Sequence, residues 1–132
     1  MRSRHQAGKK PTVLVATAPK ELHAIGAKTV TKMLEFYGFK ALYLGADLES
    51  DEIIGTISET MPHAVVLSAT LEVHIVELKA LIKTLRNPPF SYRGVIIAGG
   101  NAFKNLENAE ELLGADAVCQ NFETLLTILN SQ

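Results

Sequence analysis

The sequence predicts one three-layer α/β domain on a five-stranded parallel sheet of strand order 2-1-3-4-5. Three observations carry that expectation. Short apolar runs alternate with amphipathic segments five times from Thr12 onward, the pattern of consecutive βα units. The clearest runs, Val13-Leu14-Val15-Ala16 and Ala64-Val65-Val66-Leu67, are continuously apolar rather than alternating, so both faces of the sheet are covered. The length, 132 residues, suits one domain with a core of its own. Right-handed crossovers then place helices on both faces, and 2-1-3-4-5 is a common order for such a sheet.

Each element has its own signal. Thr12 to Thr17 is the first strand. A helix from about Ile25 to Tyr37 follows, with Val30, Met33, Leu34 and Tyr37 on one stripe, and stops at Gly38. Ala41 to Leu44 is the second strand. Ser50 is placed to cap the next helix, which carries Asp51 and Glu52 in its first turn and turns Ile53, Ile54, Ile57 and Met61 inward. The third strand is Ala64 to Ser68. Val73 to Leu85 is a helix with Leu78, Leu81, Ile82 and Leu85 on its apolar face, and Asn87-Pro88-Pro89 breaks the chain after it. The fourth strand runs from Val95 to Ala98. Leu106, Ala109, Leu112 and Leu113 mark a helix stopped by Gly114. Ala117 to Cys119 is the fifth strand, and Asn121 caps a last helix through Phe122, Leu125, Leu126 and Leu129. The whole is a flavodoxin-like arrangement over residues 12–132, preceded by a basic arm at 1–11 carrying Arg2, Arg4, Lys9 and Lys10.

Composition narrows the partners. A net charge of −1 offers no whole-domain attraction to nucleic acid, and four cations without aromatics make the arm a solvated tail rather than a nucleic-acid contact. No apolar run reaches the length of a membrane span, about 18 residues, and no membrane partner is expected. The polar start lacks the apolar core of a signal peptide. One cysteine, Cys119, excludes an internal disulfide and suits the reducing cytoplasm; it reads as an inert buried thiol.

In this strand order the chain reverses between strands 1 and 3, and ligands bind at the carboxyl ends there. The loop after strand 1 holds Glu21 and His23; strand 3 ends at Ser68. Several tenants are excluded. The loop Ala18-Pro19-Lys20-Glu21-Leu22 has neither a GxGxxG nor a Walker lysine pattern. It lacks the hydroxyl-rich turn that holds a flavin phosphate. A phosphorelay receiver needs an aspartate where Ser68 stands. A histidine, a pair of hydroxyls and a diglycine remain.

These residues resemble the cobalamin-binding domain family, whose signature is Asp-x-His-x-x-Gly, then Ser-x-Leu, then Gly-Gly. This chain reads Glu21-x-His23-x-x-Gly26, then Ser68-x-Thr70, then Gly99-Gly100, with 41 residues between Gly26 and Ser68 and 28 between Thr70 and Gly99. Order, spacing and strand-end context agree over about residues 12–130. The resemblance implies that cobalamin, as adenosylcobalamin or methylcobalamin, binds with its own base displaced. His23 would be the lower ligand of cobalt, in its neutral form. Glu21 would accept a hydrogen bond from the other ring nitrogen, although glutamate stands where the family has aspartate. Gly26 would let the nucleotide tail pass, and the tail would run between strands 1 and 4. Ser68 and Thr70 would hydrogen-bond it, Thr70 replacing the family's leucine. Gly99 and Gly100 would leave it room, a side chain there clashing with the ligand. Leu71 and Val73 pack under the corrin ring or in the core.

Each residue also has a plainer reading. Glu21 suits a helix start simply as a carboxylate; Ser68 and Thr70 can be ordinary strand-end hydroxyls; Gly99-Gly100 can be a tight turn. His74 sits at the crevice rim, either touching the corrin edge or solvated, and His5 and His63 carry no signal.

No catalytic set accompanies His23, so the chain reads as a binding module rather than an enzyme. A second copy or a partner protein is expected over the upper corrin face. Its loop Ala16 to His23 and the stretch Ala41 to Gly45 resemble those of light-responsive cobalamin regulators, which implies a sensory, photoreceptor-like role. The alternative is a methyl-carrying corrinoid protein that serves a separate methyltransferase.

Overall fold

The computed structural model describes residues 11–132; apart from Pro11, the expected basic arm lies outside the described residues. The five strands are β1 (Thr12–Thr17), β2 (Lys40–Tyr43), β3 (Ala64–Ser68), β4 (Val95–Gly99) and β5 (Ala117–Cys119). All pairings are parallel and the order is β2-β1-β3-β4-β5. The helices are α1 (Ile25–Phe36), α2 (Ser50–Thr60), α3 (Ile75–Arg86), α4 (Ala109–Leu113) and α5 (Phe122–Asn130). Single 3-10 turns at Glu72–His74 and Asn101–Phe103 follow β3 and β4.

Two cores flank the sheet, as the continuous apolar strands require. On one face Leu14, Val65, Leu67 and Ile96 meet Ile53 and Ile57 of α2, Leu78 to Leu85 of α3, and Leu113 of α4. On the other, Val13, Val15, Val66 and Ile97 meet Ala27 and Leu34 of α1 and Leu125 and Leu129 of α5. Alternate residues of each strand face opposite layers, which follows from the two-residue repeat of a strand.

Local differences from expectation have local causes. In α1 the buried stripe is Ala27, Thr31 and Leu34; Met33 and Tyr37, expected on it, are exposed. Thr31 is tolerated there because its hydroxyl donates to the Ala27 carbonyl at 2.8 Å. β2 begins one residue earlier than expected, since the Lys40 amide already pairs with the Pro11 carbonyl at 2.9 Å. Ser50 is the first helical residue of α2, not its cap: Glu49 caps, in a reciprocal arrangement with Glu52. Met61 leaves that helix in a left-handed conformation (φ 45°) and is exposed rather than inward. The helix expected from Val73 begins with the 3-10 turn, and α proper starts at Ile75. Leu112 of the short α4 is also exposed. Asn121 caps α5 as expected, its Oδ1 accepting from the Thr124 amide at 2.9 Å.

At the amino end of the sheet a polar clamp ties α3 to β4 and β5. Arg86 donates to the Tyr92 and Gly94 carbonyls at 2.8 Å and pairs with Asp116 at 2.6 Å. The same Asp116 oxygen accepts from the Ile96 amide at 2.8 Å. His63 serves this end too, its Nδ1 accepting from the Thr12 amide at 2.9 Å.

Candidate cofactor site

The loop joining β1 to α1 carries the first half of the site, and its backbone is held from three sides. The Ala18 amide donates to the Ser68 carbonyl at 2.8 Å, and the Lys20 amide to the Leu48 carbonyl at 2.8 Å. The Asp47 amide, from the loop after β2, donates to the Glu21 carbonyl at 2.8 Å, which also accepts from the Thr17 hydroxyl at 3.3 Å. Lys20 and Asp47 reach these bonds through left-handed backbone, φ 66° and 58°.

So fastened, Glu21 is 0% exposed. One carboxylate oxygen accepts from the amides of Thr70 (2.8 Å) and Leu71 (3.3 Å). The other accepts from the His23 amide at 3.2 Å and lies 2.7 Å from His23 Nδ1. Burial alone pushes the carboxyl pKa up, but the hydrogen bonds from the His23 ring and from the Thr70, His23 and Leu71 amides outweigh it and lower the pKa from 4.5 to about 2. Glu21 is therefore an ion at neutral pH. It is not a helix-start carboxylate: α1 begins four residues later and has no acidic residue in its first turn. Glutamate's extra methylene leaves the pairing with His23 intact while the far oxygen staples the loop after β3.

An ionised carboxylate can only accept, so the proton of a neutral His23 sits on Nδ1 and the Nε2 lone pair is left free. The His23 side chain is 57% exposed. His74, from the 3-10 turn before α3, closes on the same carboxylate from the other side. Its Nε2 is 3.9 Å from Glu21 Oε2 and its Nδ1 is 3.9 Å from Glu77 Oε1. The latter nitrogen is buried with no hydrogen-bond partner. The His74 side chain is 15% exposed, so a fully solvated ring is excluded and it sits near both Glu21 and Glu77. Glu77 in turn meets Lys20 at 3.5 Å. Leu71 and Val73 are exposed, so the core reading of both falls.

The second half of the site is a cleft of about 340 Å3 between α1 and α5 at the carboxyl ends of β3, β4 and β5. Gly26, Ser68, Gly99 and Gly100 line it. Strands 1 and 4 are not neighbours; β3 lies between them. The cleft itself lies over β3 and β4, and β1 contributes no residue to its lining. Ser68 and Thr70 separate: Ser68 faces the cleft, whereas the Thr70 amide belongs to the Glu21 cluster.

The glycines divide as well. A Cβ on Gly99 would sit 2.8 Å from the Cys119 carbonyl oxygen, and one on Gly100 (φ 114°) would overlap the Ala69 carbonyl. Both are demanded by neighbouring backbone, whatever binds. Gly26 differs. A Cβ there would meet nothing nearer than Ser68 Oγ at 3.8 Å, so nothing among the described residues requires glycine at this helix position, where it costs about 0.5–1 kcal/mol relative to alanine.

The first half presents one imidazole nitrogen free, and the second is a mostly apolar cleft. Among the described residues no group of three or more His, Cys, Asp or Glu side chains could hold a metal ion by itself, and no helix is long and apolar enough to cross a membrane. Fold and site define a parallel α/β domain whose candidate residues gather at the carboxyl edge of its sheet. The chain belongs to the B12 binding domain family, which it matches over residues 11–129, and cobalamin is its cofactor. Over 60 residues it is 33% identical to trimethylamine corrinoid protein 2 of Methanosarcina mazei, a stretch covering 46% of this chain and 28% of that protein. A cobalamin-binding protein from Desulfitobacterium hafniense superimposes with a TM-score of 0.83 at 26% identity, over 93% of this chain and 59% of that one. A chain of the methanol:cobalamin methyltransferase complex of Methanosarcina barkeri shares the fold, with a TM-score of 0.80 at 19% identity over 95% of this chain and 48% of that one. The chain thus spans between about a quarter and three-fifths of these relatives' lengths.

Glu21, His23, Thr70 and Leu71 belong to the first half, and Gly26, Ser68, Gly99 and Gly100 to the second. Sequence reasoning missed the cleft's apolar depth. The signal was available: with Ser68 facing the cleft, the two-residue repeat puts Val66 below it on the same face.

Proposed function

We propose that this domain holds cobalamin with His23 as the lower axial ligand of cobalt and works as a methyl-carrying corrinoid module for a separate methyltransferase. One observation carries the ligation: the 2.7 Å pairing of His23 Nδ1 with a buried, ionised Glu21, which leaves Nε2 as the only unprotonated ring nitrogen. Hydrogen bonding to an anion makes that nitrogen a stronger donor and sets the ring's orientation. A lone imidazole suits a metal that arrives with its four equatorial ligands already in place. Gly26, Ser68 and the cleft beyond them would take the displaced nucleotide tail, Gly26 by the absence of a side chain. Leu71, with neighbouring exposed apolar residues, would meet the corrin ring. The bound corrinoid supplies a cobalt-held alkyl group; the chain's own residues bind and orient it.

The carrier reading is supported by what the relatives are called, a trimethylamine corrinoid protein and a methanol:cobalamin methyltransferase complex. It is preferred to the sensory role implied by the loop from Ala16 to His23. The test is to mix the purified chain with methylcobalamin or adenosylcobalamin in the dark. Visible spectra and gel filtration are then recorded before and after illumination, with His23→Ala in parallel. Co-elution with a histidine-ligated spectrum that the variant loses, and an elution volume insensitive to light, is the expected result. Assembly that changes with light would return the sensory role. Absence of co-elution would defeat both.

A further inference from the structure

Glu21 stands beside two histidines and is bonded to one of them. Its Oε2 lies 2.7 Å from His23 Nδ1 and 3.9 Å from His74 Nε2. The first distance is a charge-assisted hydrogen bond; the second is about 1 Å too long for a good one. The other ring nitrogen of His74 is 3.9 Å from Glu77 Oε1 and is buried without a hydrogen-bond partner among the described residues. Glu77 also lies 3.5 Å from Lys20 of the loop after β1. The His74 ring is thus set between two carboxylates and hydrogen-bonded to neither. His23 is held differently. Its side chain is 57% exposed, and among the described residues its one ring hydrogen bond is to Glu21. The ring can turn out into solvent, but the carboxylate cannot follow, because its Oε1 is fixed by the Thr70 and Leu71 amides. Of the hydrogen bonds that keep Glu21 ionised, the one from the His23 ring counts for most. Losing it leaves a buried charge short of a donor.

We propose that His74 is a positioning residue that acts on His23 through Glu21, as a second donor that takes over the carboxylate when the His23 ring lets go of it. The inference rests on the ligation of cobalt by His23 proposed above and concerns how readily that ligand is released. An approach of about 1 Å by His74 Nε2 completes the bond. The ring is already in register for it: His74 ends the 3-10 turn Glu72–His74, and the amide of Leu71, the residue before that turn, is anchored to Glu21 Oε1. Exchanging one N–H donor for another keeps the number of bonds to the carboxylate constant. Release of His23 then avoids the penalty of a buried charge with a vacant acceptor. Without His74 that penalty returns, and the carboxylate holds the His23 ring more firmly against release.

The test has two parts. The first is urea unfolding of the full cofactor-free chain at pH 7, comparing the native protein, His23→Ala, His74→Ala and the double variant, a cycle that isolates the coupling between the two rings. The midpoint lost on His23→Ala is expected to be larger in the His74→Ala background than in the native one, because no second donor is left. His74→Gln, whose amide N–H can reach the same oxygen, is expected to restore the smaller loss. Equal losses in both backgrounds would mean that water fills the vacated place, and would overturn the inference while leaving the cofactor assignment standing. The second part loads the full chain with cyanocobalamin and titrates it with cyanide at fixed pH, which displaces the lower ligand and is read by visible spectrum. His74→Ala is expected to need severalfold more cyanide than the native chain, and His74→Gln about as much as native. Easier displacement in His74→Ala would overturn the release role, since His74 would then be holding the ligand on. Absence of a histidine-ligated spectrum in the native chain would defeat the proposed ligation and the release role with it, an outcome told apart from the others because the cofactor-free cycle does not depend on cobalt.

Discussion

Replacing Glu21 with glutamine removes one charge and leaves the shape nearly unchanged, which makes it the sharpest probe of the site. The carboxylate is fully buried, and its pKa falls from 4.5 to about 2 through four N–H contacts. That depression is worth about 3 kcal/mol of folding stability at neutral pH. The His23 ring that supplies part of it is half exposed and screened, so about 3 kcal/mol is the upper end. The sign follows from linkage. A carboxyl whose folded pKa is depressed stabilises fully above its unfolded value, here about 4.5, and that contribution is lost as pH falls toward about 2. Glutamine can still accept from Thr70 and Leu71, but its amide has one acceptor where the carboxylate presents two, and its NH2 would oppose the His23 donors. Urea unfolding of both chains at pH 7, 5, 4 and 3, without cofactor, is the assay. Glu21→Gln should be about 2–3 kcal/mol less stable at pH 7, and the gap should shrink steadily below pH 4.5 as the native chain's advantage titrates away. Other carboxylates titrate alike in both chains and cancel. A gap independent of pH, or no gap at pH 7, would refute the argument that an ionised Glu21 ties the two loops together.

Gly26→Ala should leave the cofactor-free chain as stable or up to about 0.5–1 kcal/mol more stable, by helix propensity, while weakening cobalamin binding; thermal melts with and without cofactor separate the two effects. Gly100→Ala should behave oppositely, destabilising the free chain by about 3 kcal/mol through overlap with the Ala69 carbonyl and a positive φ, which denaturant melts would register. Asp116→Ala strips the Ile96 amide and Arg86 of their acceptor and should cost about 1–3 kcal/mol with cofactor affinity unchanged, checked by urea unfolding beside a binding titration.

The contrast among the glycines shows where reading the sequence stopped. Strand by strand, the apolar runs already implied a covered parallel sheet, and the order β2-β1-β3-β4-β5 placed the loops with His23 and Ser68 side by side. The motif spacing pointed to the ligand. But Gly26, Gly99 and Gly100 look alike in one dimension. That two are required by carbonyl oxygens of Cys119 and Ala69 and the third by nothing among the described residues depends on atoms distant in sequence. His74, open in the sequence between the corrin edge and solvent, is mostly withdrawn from solvent for the same reason: a 3-10 turn sets it near both Glu21 and Glu77.

Periodicity and end signals are local, so the sequence by itself determined the βα alternation, the switch point and the residue set that belongs there. What lay beyond it was everything that depends on distances between separate loops. The tertiary structure decided that Glu21 reaches the Thr70 and Leu71 amides as well as His23, and that a mostly apolar cleft lies over β3 and β4 between α1 and α5. Those are properties of atoms that meet only when five strands lie in register, and chain order alone carries no such distances.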